Sequence, residues 1–280
     1  MLSRCSVIGA GRLAAHLALA LRAIGRAPVH LGARDPARAA ALSARLDLPV
    51  GTPQQALDAD WVFVCVKDDA IAPLCAGLRW QGQLAIHCSG ATELDALAPA
   101  TRRAGFHPLQ LFADPLPTPD AALAAFRGIR VGIEGDADGE LAALARALGA
   151  ECLPLRAGER ARYHAAANAA ASGLLAPLSL ATQAWQQALG LNEGDALAAL
   201  LPLAQGTLAA VARQGLAGAL SGPLARGDES VLRRHLSALE GTQRGDYRAL
   251  LQALLPLAER SGRLDARQMQ VLRELIAPPG

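Results

Sequence analysis

Cys5-Ser6-Val7-Ile8-Gly9-Ala10-Gly11-Arg12-Leu13-Ala14 decides the fold of this chain. The residues before Gly9 form a mostly apolar run of strand type, and those after Gly11 keep a helical apolar spacing to about Ile24. Strand, glycine turn and helix follow in the order that a phosphate-binding turn requires. Gly9 permits the tight turn, Gly11 lets backbone approach a pyrophosphate, and the small Ala14 allows close packing of helix on strand. Free N–H groups and the helix dipole then face the phosphates, so Gly9, Ala10, Gly11, Arg12 and Leu13 are expected to hold a dinucleotide. A merely structural glycine turn is the competing reading.

Outward from this stretch, strand-type runs at Val29 to Leu31, Trp61 to Val66 and Leu84 to Ile86 alternate with Ala-rich, helix-type segments. That alternation implies a parallel sheet with crossover helices. Further strand candidates, Ile129 to Ile133 and Cys152 to Leu155, flank a helix-type stretch from Asp138 to Leu148. From Gly158 onward only helical periodicity remains, broken at Gly190, at Ser221-Gly222-Pro223, near Gly241 to Gly245 and at Ser261-Gly262. The expected architecture is α/β, an N-terminal Rossmann parallel sheet over residues 1–155 followed by a C-terminal all-helical domain over residues 156–280.

With 280 residues and 52% hydrophobic content, the chain can bury cores of ordinary size. A net charge of +2 without a basic run lacks the electrostatic footprint of a nucleic-acid binder. The five cysteines are scattered singly, which suggests no metal site, no disulfide framework and a reduced, cytoplasmic setting. Gly9-Ala10-Gly11-Arg12 interrupts the apolar N-terminus with a turn and a charge, so a signal peptide is rejected. Ala165 to Trp185 is uncharged but contains Asn168, Ser172, Pro177 and Gln183, and is read as a buried helix rather than a membrane span.

The end of the second strand selects the dinucleotide, because NAD enzymes place an acid there. Gly32 and Ala33 are not acidic, and Arg34 follows with a planar, permanently charged fork suited to a 2'-phosphate. Asp35 is the competing acid, but Asp before Pro36 reads as a helix cap. NADP is therefore favoured, with NAD as the alternative.

Beyond the strand ends lie the candidate chemical groups. Val66 and Lys67 close one strand on the cofactor side, and Asp68 or Asp69 is expected to cap the next helix. Ser89 and Gly90 offer a hydroxyl and a backbone N–H to a substrate carboxylate or carbonyl, or simply end a strand. Cys88 has no evident activating partner. His107 is placed either to protonate a reacting atom or to be a backbone-bonded core histidine. Tyr163, His164, Asn168 and Ser172 lie on a helix whose positions 164, 168 and 172 share one face, expected to be buried and to need polar partners.

The combined pattern resembles the Rossmann-like proteins that carry the domain of unknown function DUF2520, described as NADP oxidoreductases. The resemblance rests on Gly9-x-Gly11-x-x-Ala14, His87-Cys88-Ser89-Gly90, His107-Pro108-Leu109-Gln110-Leu111-Phe112, Ile133-Glu134-Gly135, Tyr163-His164, and Gly222-Pro223 with Arg226-Gly227-Asp228. More distantly the layout is similar to ketopantoate reductases, beta-hydroxyacid dehydrogenases and pyrroline-5-carboxylate reductases. In the first two of those groups a catalytic lysine stands four residues before an asparagine; Asn168 matches the asparagine, whereas His164 replaces the lysine. The resemblance implies His164 as acid, with Asn168 as substrate or nicotinamide contact and the Ser89-Gly90 turn as substrate loop. Arg226 is a candidate for an anionic ligand. Three activities stay open: an NADP-dependent oxidoreductase acting on a small carbonyl or imine in an interdomain cleft, a non-catalytic NADP-sensing regulatory protein, and a deazaflavin-dependent variant. A homodimer is the expected assembly.

Overall fold

The computed structural model describes residues 3–114, 116–136 and 138–277. The first elements are β1 (Cys5–Ile8), α1 (Arg12–Ala23), β2 (His30–Gly32), α2 (Pro36–Leu46), β3 (Val50–Gly51), β4 (Trp61–Val64), α3 (Asp68–Ala76) and β5 (Leu84–His87). They are followed by β6 (Arg102–Pro108), α4 (Pro119–Ala124), β7 (Arg130–Glu134), α5 (Glu140–Ala147), β8 (Glu151–Pro154) and α6 (Arg160–Ala170). The remaining helices are α7 (Leu175–Leu189), α8 (Glu193–Ala219), α9 (Gly222–Arg226), α10 (Glu229–Ala238), α11 (Gly241–Arg260) and α12 (Ala266–Ile276).

One sheet carries the strands in the order β3-β2-β1-β4-β5-β6-β7-β8. Every pairing is parallel except β6 with β7. Strands β1, β4 and β5 are buried at every position, as expected when helices cover both faces of a parallel sheet. Helix α1 buries every residue from Ala14 to Leu21, and its alanines let it lie close on the sheet. Phe63 and Phe106 meet edge to face at 5.9 Å inside this core. Strand order reverses beside β1, where β2 lies on one side and β4 on the other, and such a switch point opens a crevice beyond the strand ends.

Two compact units divide between Asn168 and Ala169. Strand structure ends with β8 near Leu155, but the first turns of α6 fold with the sheet, which carries the unit past the end of its strands. The second unit has its own core of Leu224, Leu232, Leu251, Ala258, Met269, Leu272 and Ile276. Asp228 caps α10 by accepting from Val231 N at 3.1 Å, and a capping box between Asp265 and Gln268 starts α12.

Four expectations need correction. Strands β3 and β6 were not anticipated: β3 is only two residues long, and β6 reads Arg-Arg-Ala-Gly-Phe-His-Pro with no alternation to mark it. Neither Asp68 nor Asp69 caps α3; Lys67 is the cap residue, and both carboxylates sit in the first turn, where they favour the helix dipole. Ser172 does not continue the line from His164 through Asn168, because α6 ends at Ala170 and Ser172 opens a separate short turn. Finally, Ala165 to Trp185 is not a buried helix: the stretch Arg160–Leu189 has an apolar window only 6% buried. Within the second unit α7 packs on α8 and α11. This stretch and Glu193–Ala219 are both long and apolar enough to cross a membrane by length and composition.

Candidate active site

At the switch point, Gly9 adopts φ +132°, and a side chain there would collide with the carbonyl oxygen of Cys65. The turn is pinned by Gly9 N donating to Gly32 O at 2.9 Å and by Cys65 N donating to Ile8 O at 2.8 Å. Gly11 caps α1 with no side-chain bond, so the N–H groups of the first turn keep their capacity for an anion. A Cβ on Gly11 would meet nothing within 4 Å, so this side of the turn faces open space. That space is a cleft of about 580 Å³ lined by Gly9, Ala10, Gly11, Arg34, Val66 and Lys67, among others. Arg12 and Leu13 are not among its lining residues: Arg12 is exposed with its carbonyl accepting from His16 Nδ1 at 2.8 Å, and Leu13 packs on the core. Arg34 is exposed and also lines an adjoining hollow with Thr52 and Pro53. Asp35 Oδ1 accepts from Ala37 N at 3.0 Å, so its carboxylate does start a helix as the sequence suggested.

Along the same carboxyl edge, β5, β6 and β7 carry a second, polar cluster. Register places His87 beside Gly105, and Gly105 beside Glu134, in one row across the sheet. Arg160, the first residue of α6, is wholly buried over that row. Its Nε donates to Glu134 Oε2 at 2.5 Å and its Nη1 to Ser89 O at 2.9 Å, and its guanidinium occupies the place a Gly105 side chain would take. One helical turn later, Tyr163 lies on Gly132 and its Oη stands 2.8 Å from His107 Nδ1. The His164 ring stands 5.6 Å from that of His107, and a Cβ on Gly90 would collide with His164 Nδ1 and approach His107 Cε1 to 2.9 Å. The two sites touch through Cys65 and Cys88, whose Sγ atoms are 3.5 Å apart on adjacent strand ends.

Residues 129–254 match the family described as domain of unknown function DUF2520. Ahead of it, residues 4–90 match the family described as NADP oxidoreductase, coenzyme F420-dependent. Among solved structures, a Bacteroides fragilis protein provisionally named an NADP oxidoreductase aligns with TM-score 0.68 and 24% identity, covering 94% of this chain and 98% of its own. A reductive aminase from Aspergillus terreus, in complex with NADPH4, cyclohexanone and allyl amine, aligns with TM-score 0.64 and 18% identity over 98% of this chain and 99% of its own. A pyrroline-5-carboxylate reductase from Coxiella burnetii aligns with TM-score 0.57 and 16% identity over 98% and 99%. At these identities the likeness is one of fold. None of the curated proteins matches the sequence.

The segment that matches this family model contributes Glu134, Arg160, Tyr163 and His164 to the cluster, and their surroundings set its protonation. Burial, seconded by His164 and Arg160 and opposed by Asp68, pushes the His107 pKa down to about 4. Burial and then Arg160 push His87 down to about 4 as well, and neither of its ring nitrogens finds a partner. Burial holds the Tyr163 phenol up at about 12. At neutral pH both imidazoles are therefore neutral and the phenol keeps its proton. Cys88 is driven well above its ordinary value, first by its hydrogen bond with Cys65 and then by burial, so it is an inert thiol rather than a nucleophile.

The other expected site residues fall as follows. Ser89 needs correction as a hydroxyl donor to substrate: its Oγ accepts from Ala91 N at 3.2 Å and Thr92 N at 3.0 Å and bonds Thr92 Oγ1 at 2.9 Å, so it shapes the turn. Gly90 is buried under the two histidines. Asn168 is exposed on α6, so the expected burial of its face is not found. Arg226 ends α9 in the second unit and is exposed. No group of three metal-ligating side chains occurs among the described residues. Sequence reasoning missed Arg160; its one signal was its place three residues before Tyr163, on the same helix face.

Proposed function

We propose that this chain is an NADP(H)-dependent reductase acting on the C=O or C=N group of a small molecule. The observation that carries the reading is the meeting of the two clusters at Cys65 and Cys88, which puts a glycine-turn cleft and a histidine-tyrosine group on one sheet edge. The cofactor, when bound, supplies the hydride. The chain's own residues do the rest. Backbone amides of Ala10, Gly11 and the first turn of α1 hold the diphosphate, with Gly9 shaping the turn, and Val66 and Lys67 flank it. Arg34 takes the 2'-phosphate, because it is exposed at the cleft while Asp35, which also lines it, has its carboxylate bonded to Ala37 N at the start of α2.

Reduction of a C=O or C=N group needs a proton at the oxygen or nitrogen. Tyr163 and neutral His107 are tied by their 2.8 Å bond, and His164, whose ring stands 5.6 Å from that of His107, gives its own proton to the substrate. The Gly90 N–H and the Asn168 amide orient the reacting group. Exposed Leu201 and Leu208, seven residues apart on one side of α8, belong to the surface through which two copies associate. The five free thiols suit a reducing cytoplasm.

Fluorescence titration with NADPH and NADH, followed by NADPH oxidation across a panel of imines and ketoacids, tests the reading. Tighter binding of NADPH and turnover of a panel member are expected. Binding of neither dinucleotide sinks the proposal, and tight NADPH binding with no turnover moves it to a sensor.

A further inference from the structure

Arg160 is wholly buried, and such a cation is expensive to remove from water. Glu134 compensates its charge and Ser89 O takes a second N–H, yet Nη2 stays buried with no partner. An apolar side chain would fill the same volume at less cost, so stability alone does not account for an arginine here. What the guanidinium does instead is join separate pieces of the site. It reaches Glu134 on β7, lies against Gly105 on β6 and holds the turn after β5 by its carbonyl, while belonging to α6 itself.

Resting on the reductase reading, we infer that Arg160 is a positioning residue, which clamps the Ser89–Gly90 turn to the sheet and sets its gap to His107, Tyr163 and His164. Tyr163 and His164 stand three and four residues beyond it, one helical turn along α6, so displacement of the clamp reaches both. Its charge acts on the same groups. His107 is faced by Arg160, Tyr163 and His164 from α6, by His87 from β5 and by Asp68 from α3, and Arg160 opposes its protonation.

The test compares Arg160→Met, Arg160→Lys and Glu134→Gln with the full-length parent. Three readouts are used: amide hydrogen exchange of residues 87–92, the NMR titration of His107, and NADPH affinity. Faster exchange in the turn, by about ten-fold or more, is expected in all three variants, with exchange in β1 unchanged. The His107 midpoint is expected to rise in Arg160→Met, which removes the charge, and to hold in Arg160→Lys. NADPH affinity is expected to stay within about two-fold, since Arg160 does not line that cleft. Unchanged turn exchange or an unmoved His107 titration in a folded Arg160→Met protein overturns the inference. So does a general rise in exchange with loss of NADPH binding, the mark of a mere fold anchor. If Arg160→Met does not fold, exchange in the other two variants decides, and no rise there overturns it. A parent that binds no dinucleotide defeats the reductase reading alone, because exchange and titration still judge the clamp.

Discussion

Tyr163 Oη and His107 Nδ1 are 2.8 Å apart, with the two rings edge to face at 5.5 Å. Neither partner is ionised near neutrality, because burial holds His107 down at about 4 and the phenol up at about 12. The bond is thus between two neutral groups, and its direction depends on the tautomer of His107. Only the tautomer with a proton on Nδ1 leaves the phenol proton free for another acceptor.

Tyr163→Phe removes this bond and leaves a half-buried ring nitrogen without a partner. A stability loss of about 1–2 kcal/mol is expected in denaturant melts. Turnover of NADPH with the best panel substrate should fall by about ten-fold to a hundred-fold, with NADPH affinity unchanged. Full turnover in a folded Phe variant would remove Tyr163 from proton handling.

Gly90→Ala tests the crowding at the strand end. The added methyl meets His164 Nδ1 and sits within 2.9 Å of His107 Cε1, so a ring must move or the turn must. Overpacking of this kind costs about 1–3 kcal/mol. Turnover should drop more than stability does, while fluorescence titration shows the NADPH site intact. An alanine variant with parental kinetics would show that the turn and the histidines are not held in register.

Arg34→Ala addresses the choice of dinucleotide. A guanidinium on a 2'-phosphate contributes a charge-assisted bond that NADH cannot use, so NADPH affinity should weaken by about ten-fold to a hundred-fold while NADH affinity stays. Equal weakening for both would assign Arg34 to a group the two cofactors share.

The fold was legible because β1, β4 and β5 are buried throughout and therefore read as continuous apolar runs between helices. Strand β6 was hidden, since it follows no period and is held in place by its neighbours on either side. The cleft-lining positions of the glycine turn and Arg34 follow from their places at strand ends, whereas Arg160 could not be found that way: its partners Glu134 and Ser89 are 26 and 71 residues away in the chain. The occupation of the Ser89 hydroxyl was equally invisible, because it depends on the turn closing back onto Thr92.

The two depressed histidines make stability depend on pH in a window set by their own values. His87 and His107 have ordinary values of 6.5 and folded values of about 4. In the unfolded chain both gain protons as pH falls through 6.5, while the folded protein keeps them neutral until about 4. Their contribution is therefore whole above pH 6.5, diminishes below it, and is lost by about pH 4. Each contributes a slope of at most about 1.4 kcal/mol per pH unit inside that window. The depressed carboxyls Asp58 and Asp228 titrate below 3.8 and leave the window undisturbed. Urea melts at pH 7, 6 and 5 should show steadily falling stability, and His87→Leu should reduce the slope by about half. A parental protein equally stable across those three values, or a Leu variant with the parental slope, would mean that these imidazoles do not stay neutral in the fold.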